Sequence, residues 1–574
     1  MNTASPHTTL LDLAERYWRF ECFELPLAAV LAGQPTADAV LFRESAADHA
    51  RRSTGAAAQL VELNAIDANS LDASGRATHA LLGRELRNLG TQYAVHAHLR
   101  PWLFPAGPDF TAVFWANASS VADAAGATLY VDRLASLPAY LLDVQANIEA
   151  GWTLGFRYPR QVLLCAAANT RGILATPAEA SAWLSPFKRS PVATQPAMQQ
   201  QADRATAVVR DKLLPALQAW AAFQDSLIIR GARDSLSCID GPQGAAYYRY
   251  WVQNFTSTDL DPDAVHELGL REVERINCEV EAVATDAGWP GDVPGYRSFL
   301  ASDAQFIAAS GLALRERVEV ICKRIDRRIP DFFSRIPRST YGVDSMPEAM
   351  SERMPPAYAQ PSPADGSAAG IFWISGLPAK APNYLHPALV VHEAWPGHLM
   401  HLALMNEQQQ LPAFQRYGAV KYTAVVEGWA LYCEQLGIEM GVYGTPHEHY
   451  GRLEMEQWRA VRLVVDTGIH ANSWTRDQAI AYMAQHLTLS RETIEGEVDR
   501  YAALPGQALA YQIGGLKVRE LRRRAEERLG AAFSRRAFHE AVMTAGAVTL
   551  PVLEDLVEHW LQQQEQPQGQ RHAA

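Results

Sequence analysis

Residues 392–398 read His-Glu-Ala-Trp-Pro-Gly-His, and residues 427–430 read Glu-Gly-Trp-Ala. Two imidazoles, a carboxylate beside the first and a second carboxylate farther on are the parts of a hydrolytic zinc site. Histidine and glutamate serve as ligands, and a free glutamate serves as general base. In the His-Glu-x-x-His motif the histidines lie four positions apart and share one helix face. Here they lie six apart, which on an undistorted helix sets them roughly 120° from each other, too far to share an ion. Pro396 cannot donate an amide bond back to the His392 carbonyl. Gly397 relaxes the backbone just before the second imidazole. The pair predicts a helix that bulges or breaks at residues 395–397 and returns His398 to the His392 side.

Glu393 would point beside a metal held by His392, the placement of a general base. A catalytic zinc keeps three protein ligands and one open position. Glu427 is the candidate third ligand, in an apolar, helical stretch over residues 422–437. Glu434, seven residues on and nearly on the same face, is either an alternative ligand or a carboxylate that holds a histidine by its other nitrogen. His401 is either a further ligand or a helix-surface residue.

Residues 391–398 and 427–432, with 462–470 (RLVVDTGIH), 474–483 (WTRDQAIAYM), 500–514 (RYAALPGQALAYQIG) and 255–276, occur in an order that resembles a bacterial family known as domain of unknown function 885. Its members look like zinc metallopeptidases of the Glu-zincin type. The resemblance covers most of the chain, most strongly from about residue 240 onward. Where many members carry a second histidine directly after the first box, this chain has Leu399, which favours His398 as ligand. The resemblance implies a mainly α fold: a large helical zincin-like body with a small β element near the metal helix, holding Zn2+ through His392, His398 and Glu427.

Related zinc peptidases use a histidine and a tyrosine to stabilise the oxyanion. By that analogy the candidates are His470, four residues after Asp466 and so within reach of its carboxylate on a helix, and Tyr511. An exopeptidase acting from the C-terminus needs a cation for the free carboxylate. Arg500, beside Tyr501, is the first candidate and Lys517 the second. The function expected is a zinc-dependent hydrolase cleaving peptide bonds, a carboxypeptidase or dipeptidase on short peptides. Its alternatives are a metal-dependent amidohydrolase on a non-peptide amide and a non-catalytic, zinc-containing helical binding protein. The intact Glu393 argues against the last, because a structural site has no need of a free carboxylate.

The elements that must position these residues read as mostly helical. Residues 9–23, 56–64, 202–222, 264–287, 313–329 and 477–486 show helical apolar spacing or strong helix formers. Asp261-Pro262 is a helix start, and Thr475 with Gln478 is a capping box. Residues 370–375 (GIFWIS) are the best strand signal, placed either to pair with a substrate backbone at a sheet edge or to form a small structural sheet. Residues 330–387, rich in Pro, Gly and Ser, read as an irregular segment feeding the site. The expected organisation is a helical N-terminal region over 1–238, a catalytic region over 239–561 and a disordered tail over 562–574.

The 574 residues carry a net charge of −12 and no basic stripe, which excludes a phosphate-neutralising nucleic-acid binder. The run Lys517–Arg524 is broken by Glu520 and reads as a solvated helix face. Six scattered cysteines, with no Cys-x-x-Cys pair, favour free thiols in a reducing compartment. Residues 9–23 carry Asp, Glu and Arg where a signal peptide needs an apolar core, and no apolar run reaches the ~18 residues of a membrane span. The expectation is a cytoplasmic enzyme with a peptide or amide substrate, no nucleic-acid or membrane partner, and an oligomeric state that the sequence leaves open.

Overall fold

The computed structural model describes residues 5–33, 38–346, 351, 354–364, 366 and 368–566. The chain is mainly α, with one small sheet. Several of its helices begin where short polar side chains cap them. Asp261 accepts from the Asp263 amide with Pro262 in the first turn, and Thr475 and Gln478 form the reciprocal box. The segment expected as one helix over 202–222 is helix to Val208, a wider π turn over Val209–Leu213, then helix Leu214–Ile229.

Two large cores organise the body. One joins the N-terminal helices Pro6–Glu24, Ala46–Asn64 and Ala73–Ala94 to side chains from Leu236 to Leu561. The other is built from residues between Leu41 and Ala232. The packing therefore cuts across the boundary expected near 235–244. The first three long helices are part of the body that carries the candidate site, because their apolar faces are buried against it.

The central strut is the helix Pro446–His470, in which every residue from Tyr450 to His470 is buried. It packs along Pro262–Asp286, where a Cβ at Gly269 would lie 2.7 Å from Leu463 Cβ. The helix Thr423–Glu439 runs beside Ala510–Leu529. There a Cβ on Gly428 would come within 2.6 Å of Gly514 Cα, so only glycines permit this approach.

The expected strand is present as β3, Gly370–Ile374, but it is the middle strand. It pairs parallel with β1, Tyr341–Ser345, and antiparallel with β2, Ala357–Gln360. Both its edges are filled, so the expected edge pairing of β3 with a substrate backbone is corrected. Residues 330–387 hold this sheet as well as irregular chain. The expected tail also begins later. The helix Leu550–Glu565 runs through residues 562–565, and Arg528 grips Glu565 with bonds of 2.9 and 2.7 Å. Residues 567–574 of that tail lie outside the described residues. Among the described residues no helix is long and apolar enough to cross a membrane. All six cysteines are free.

Candidate metal centre

The helix His386–Glu393 stops one residue before Ala394, and a new helix, His398–Asn406, starts after Gly397. Pro396 and Gly397 make the break possible. A Cβ on Gly397 would overlap the carbonyl oxygens of Val391 and His392, so the chain can double back this tightly only at glycine. The break is held from outside. Trp429 Nε1 donates to the Pro396 carbonyl at 2.9 Å, and Trp395 packs on Tyr341 at the start of β1 with ring centroids 5.4 Å apart. The two sequence boxes are thus physically tied.

Turned back in this way, the His392 and His398 rings lie perpendicular, with centroids 4.8 Å apart. Glu427 reaches between them. Its Oε2 lies 3.5 Å from His392 Nε2 and 3.3 Å from His398 Nε2. One donor atom from each of the three falls within 4.8 Å of the others. Ligand atoms at ~2.1 Å from a tetrahedral ion are separated by about 3.4 Å, so the spacing suits a small divalent ion. Glu427 Oε2 is buried without a hydrogen-bond partner, which fits a role as a ligand atom.

His392 is oriented from behind. Its Nδ1–H donates to Glu434 Oε1 at 2.7 Å, which leaves the Nε2 lone pair directed at the triad. Arg459 NH2 stands 3.9 Å from the same Glu434 oxygen. Glu434 therefore sits behind the histidine. Burial works against charging His392, but its contact with Glu427, its bond to Glu434 and the Glu393 charge raise it to about 9. Burial likewise opposes ionisation of Glu427, yet the His398 charge and the close contacts with both imidazoles hold its carboxyl well below the usual range. Glu393 ends its helix, half-buried beside the triad. His401 is completely buried against Trp429, ring centroids 5.7 Å apart. Burial and the His398 charge push it down to about 3; it is not a surface residue, and it is not among the three whose donor atoms converge.

The remaining candidates hold other partners. His470 accepts the Cys238 amide at Nδ1, 3.1 Å, and donates from Nε2 to the Tyr501 carbonyl, 2.9 Å. Both ring nitrogens are occupied, and burial pushes the ring down to about 4. The expected carboxylate partner is elsewhere: Asp466 accepts the Tyr248 hydroxyl at 2.7 Å and the Gly506 amide at 3.0 Å. The Arg500 fork is closed on Glu497 at 3.0 and 2.9 Å, with Gln507 at 2.7 Å. The Tyr501 hydroxyl is buried between Glu497 and Arg462, and Lys517 bridges Glu520 and Glu554. Tyr511 is half-buried. Its hydroxyl takes one long bond from Gln507, 3.4 Å, and the Arg462 guanidinium covers its ring at 4.4 Å. None of these five makes a bond or ion pair to the triad among the described residues.

Sequence reasoning passed over Arg459 and Arg462. Their signal was visible. Arg452, Glu456, Arg459, Arg462, Asp466 and His470 recur every three or four residues, a charged stripe down one face of a buried helix.

The chain belongs to the family described as bacterial proteins of unknown function (DUF885), whose model matches residues 26–557. The fold is similar to the crystal structure of a protein from Colwellia psychrerythraea described as a "putative lipoprotein", with a TM-score of 0.91 and 26% identity over 98% of this chain and 100% of that one. It is also similar to a protein of unknown function from Shewanella oneidensis described in the same words, with a TM-score of 0.70 and 18% identity over 97% and 100% of the two chains. No curated protein matches the sequence.

Proposed function

We propose that this protein is a zinc-dependent hydrolase that cleaves peptide bonds in short peptides, as a carboxypeptidase or dipeptidase. The observation that carries the reading is the convergence of His392, His398 and Glu427 donor atoms, with Glu393 next to them and Glu434 fixing the first imidazole. A divalent ion at these three residues would supply Lewis acidity toward a carbonyl and toward a water molecule. The rest is the work of the chain. Glu393 takes a proton from the water whose oxygen attacks the carbonyl carbon, and returns it to the amine nitrogen as the carbon–nitrogen bond breaks. Tyr511, with its single long hydroxyl bond, is the protein donor we assign to the developing oxyanion. His470 has no free nitrogen for that task. We place the enzyme in the cytoplasm on its six free thiols. Cell fractionation tests this against an envelope location of the kind the word lipoprotein implies for its structural neighbours.

The test is zinc analysis of the purified protein and of Glu427→Ala, followed by a panel of short peptides with free and blocked C-termini. About one zinc per chain, lost in the variant, is expected. So is turnover that falls by roughly 10²-fold or more in Glu393→Gln while zinc is retained. Full activity in Glu393→Gln refutes the mechanism. Equal cleavage of blocked and free peptides refutes the carboxypeptidase assignment.

A further inference from the structure

Away from the triad, three guanidiniums line one small cavity of about 60 Å³: Arg100, Arg157 and Arg233. It lies on the seam between the two large cores, with Leu103 of one and Val162 of the other both facing it. The three arginines bond to main-chain carbonyls. Arg100 reaches Val95 and Pro242, Arg157 reaches Trp152 and Phe156, and Arg233 reaches Arg157, Ser235 and Ser237. Among the described residues no carboxylate forms an ion pair with any of them. Arg100 is instead sandwiched between the Tyr247 and Phe156 rings, at 3.7 and 4.5 Å, and its Nε is buried without a partner. Arg233 NH2 also makes no hydrogen bond among the described residues. Burial lowers the proton affinity of both Arg100 and Arg233; at Arg233 the nearby Cys238 and Asp240 oppose that shift and the Arg100 charge adds to it. Desolvated like charges with spare N–H groups are costly unless an anion joins them.

A second cavity, of about 450 Å³, shares Arg100, Trp102 and Tyr247 with the first. Its four carboxylates are already matched. Lys421 pairs with Glu21 and Glu85, Arg51 with Glu24, and His49 with Glu44. What this chamber offers is an aromatic wall. Trp102 lies 4.5 Å from Trp251 and 5.8 Å from Phe255 between ring centroids, and both indole N–H groups are buried without partners.

We propose that the two cavities, which share Arg100, Trp102 and Tyr247, open into each other to bind a small organic acid, its carboxylate held by Arg100, Arg157 and Arg233 and its apolar body laid against Trp102, Trp251 and Phe255. A guanidinium fork pairs equally well with carboxylate or phosphate. The larger cavity selects between them, because a free phosphate would leave its aromatic wall uncovered, whereas an apolar body gains from burial there. None of His392, His398 and Glu427 lines either cavity, so the site does not depend on the metal reading.

The test is calorimetric titration of the full-length protein with 3-phenylpropionate, acetate, inorganic phosphate and the neutral 3-phenylpropanamide. Binding of 3-phenylpropionate at least about tenfold tighter than acetate, phosphate or the amide is expected. Arg233→Gln should weaken it by about tenfold or more, Trp251→Leu should weaken it without changing acetate, and Glu427→Ala should leave it intact. Three outcomes overturn the inference: no binding of 3-phenylpropionate to the wild-type protein, equal binding of the amide, or tighter binding of phosphate. Loss of binding in Glu427→Ala, with retention in Arg233→Gln, assigns the carboxylate to the metal centre and overturns it as well.

Discussion

Removing the carboxylate behind His392 separates the orientation of a ligand from the ligand itself. Glu434 is 2% exposed, and its Oε1 accepts the His392 Nδ1 proton at 2.7 Å. In Glu434→Ala that N–H is left in a dry pocket, a loss of about 1–3 kcal/mol for an unsatisfied buried donor. The ring is then free to turn its Nε2 away from the triad. Carboxylates in this position are worth about 10–100-fold in metal affinity, or roughly 1.4–2.7 kcal/mol. The two ranges agree, so we expect zinc affinity to fall 10–100-fold with the fold retained. Glu434→Gln keeps an acceptor oxygen and should lose less, about tenfold at most. The assay is titration of metal-free protein with Zn2+ against a chromophoric chelator, with thermal unfolding as control for the fold. Unchanged affinity in Glu434→Ala would refute orientation of His392 by Glu434. Equal losses in the two variants would show that the Glu434 charge, and not its hydrogen bond, is what matters.

Gly397→Ala should abolish metal binding and lower stability by about 2–4 kcal/mol, since its Cβ overlaps two carbonyl oxygens; normal zinc content would refute the tight return of the chain. Burial raises the Asp466 carboxyl to about 7, against the opposing bonds from Tyr248 and Gly506. Its folded pKa lies above the unfolded value of 3.8, so stability is lost as pH rises from ~4 through ~7, by up to about 4 kcal/mol. Asp466→Asn should therefore gain on the wild type between pH 5 and pH 8 in denaturant unfolding, and a pH-independent difference would refute the buried charge. Burial lowers His386, His470 and His539 to about 4. Each contributes stability present above the unfolded value of 6.5 and lost as pH falls toward 4, about 3 kcal/mol apiece. A melting temperature that stays flat from pH 7 to pH 4.5 would contradict this.

Much of the fold was legible because local chemistry announces it. Caps at Asp261 and Thr475, and the proline and glycine that interrupt the 392–398 box, are read within a few residues. The β3 segment was equally visible, but its neighbours were not. β1 and β2 each span only four or five residues, and whether β3 is an edge or a centre depends on partners 11–17 and 29 positions away. The attachment of the first three long helices to the body that carries the candidate site is a tertiary fact, carried by apolar faces that would suit a separate domain just as well.

The candidate site shows the same division more sharply. Residue types nominate; only partners decide. Arg500, Lys517 and His470 all had suitable chemistry, and each turned out to be satisfied from another stretch of chain: Glu497 and Gln507, Glu520 and Glu554, the Cys238 amide and the Tyr501 carbonyl. Buried polar groups are almost always paired, so a satisfied one is explained by the fold, and a functional role must be argued on top of that. His398 and Glu427 are different. Glu427 Oε2 is buried without a hydrogen-bond partner, and it lies 3.5 Å from His392 Nε2 and 3.3 Å from His398 Nε2. Two lone-pair donors and a carboxylate gathered so closely are favourable only when a proton or a cation lies among them. Glu434 already accepts the His392 Nδ1 proton from behind, so it is the inward-facing nitrogens and the Glu427 oxygen that still require a positive centre. That requirement, rather than the resemblance of the boxes to a motif, is the physical reason to look for a metal here.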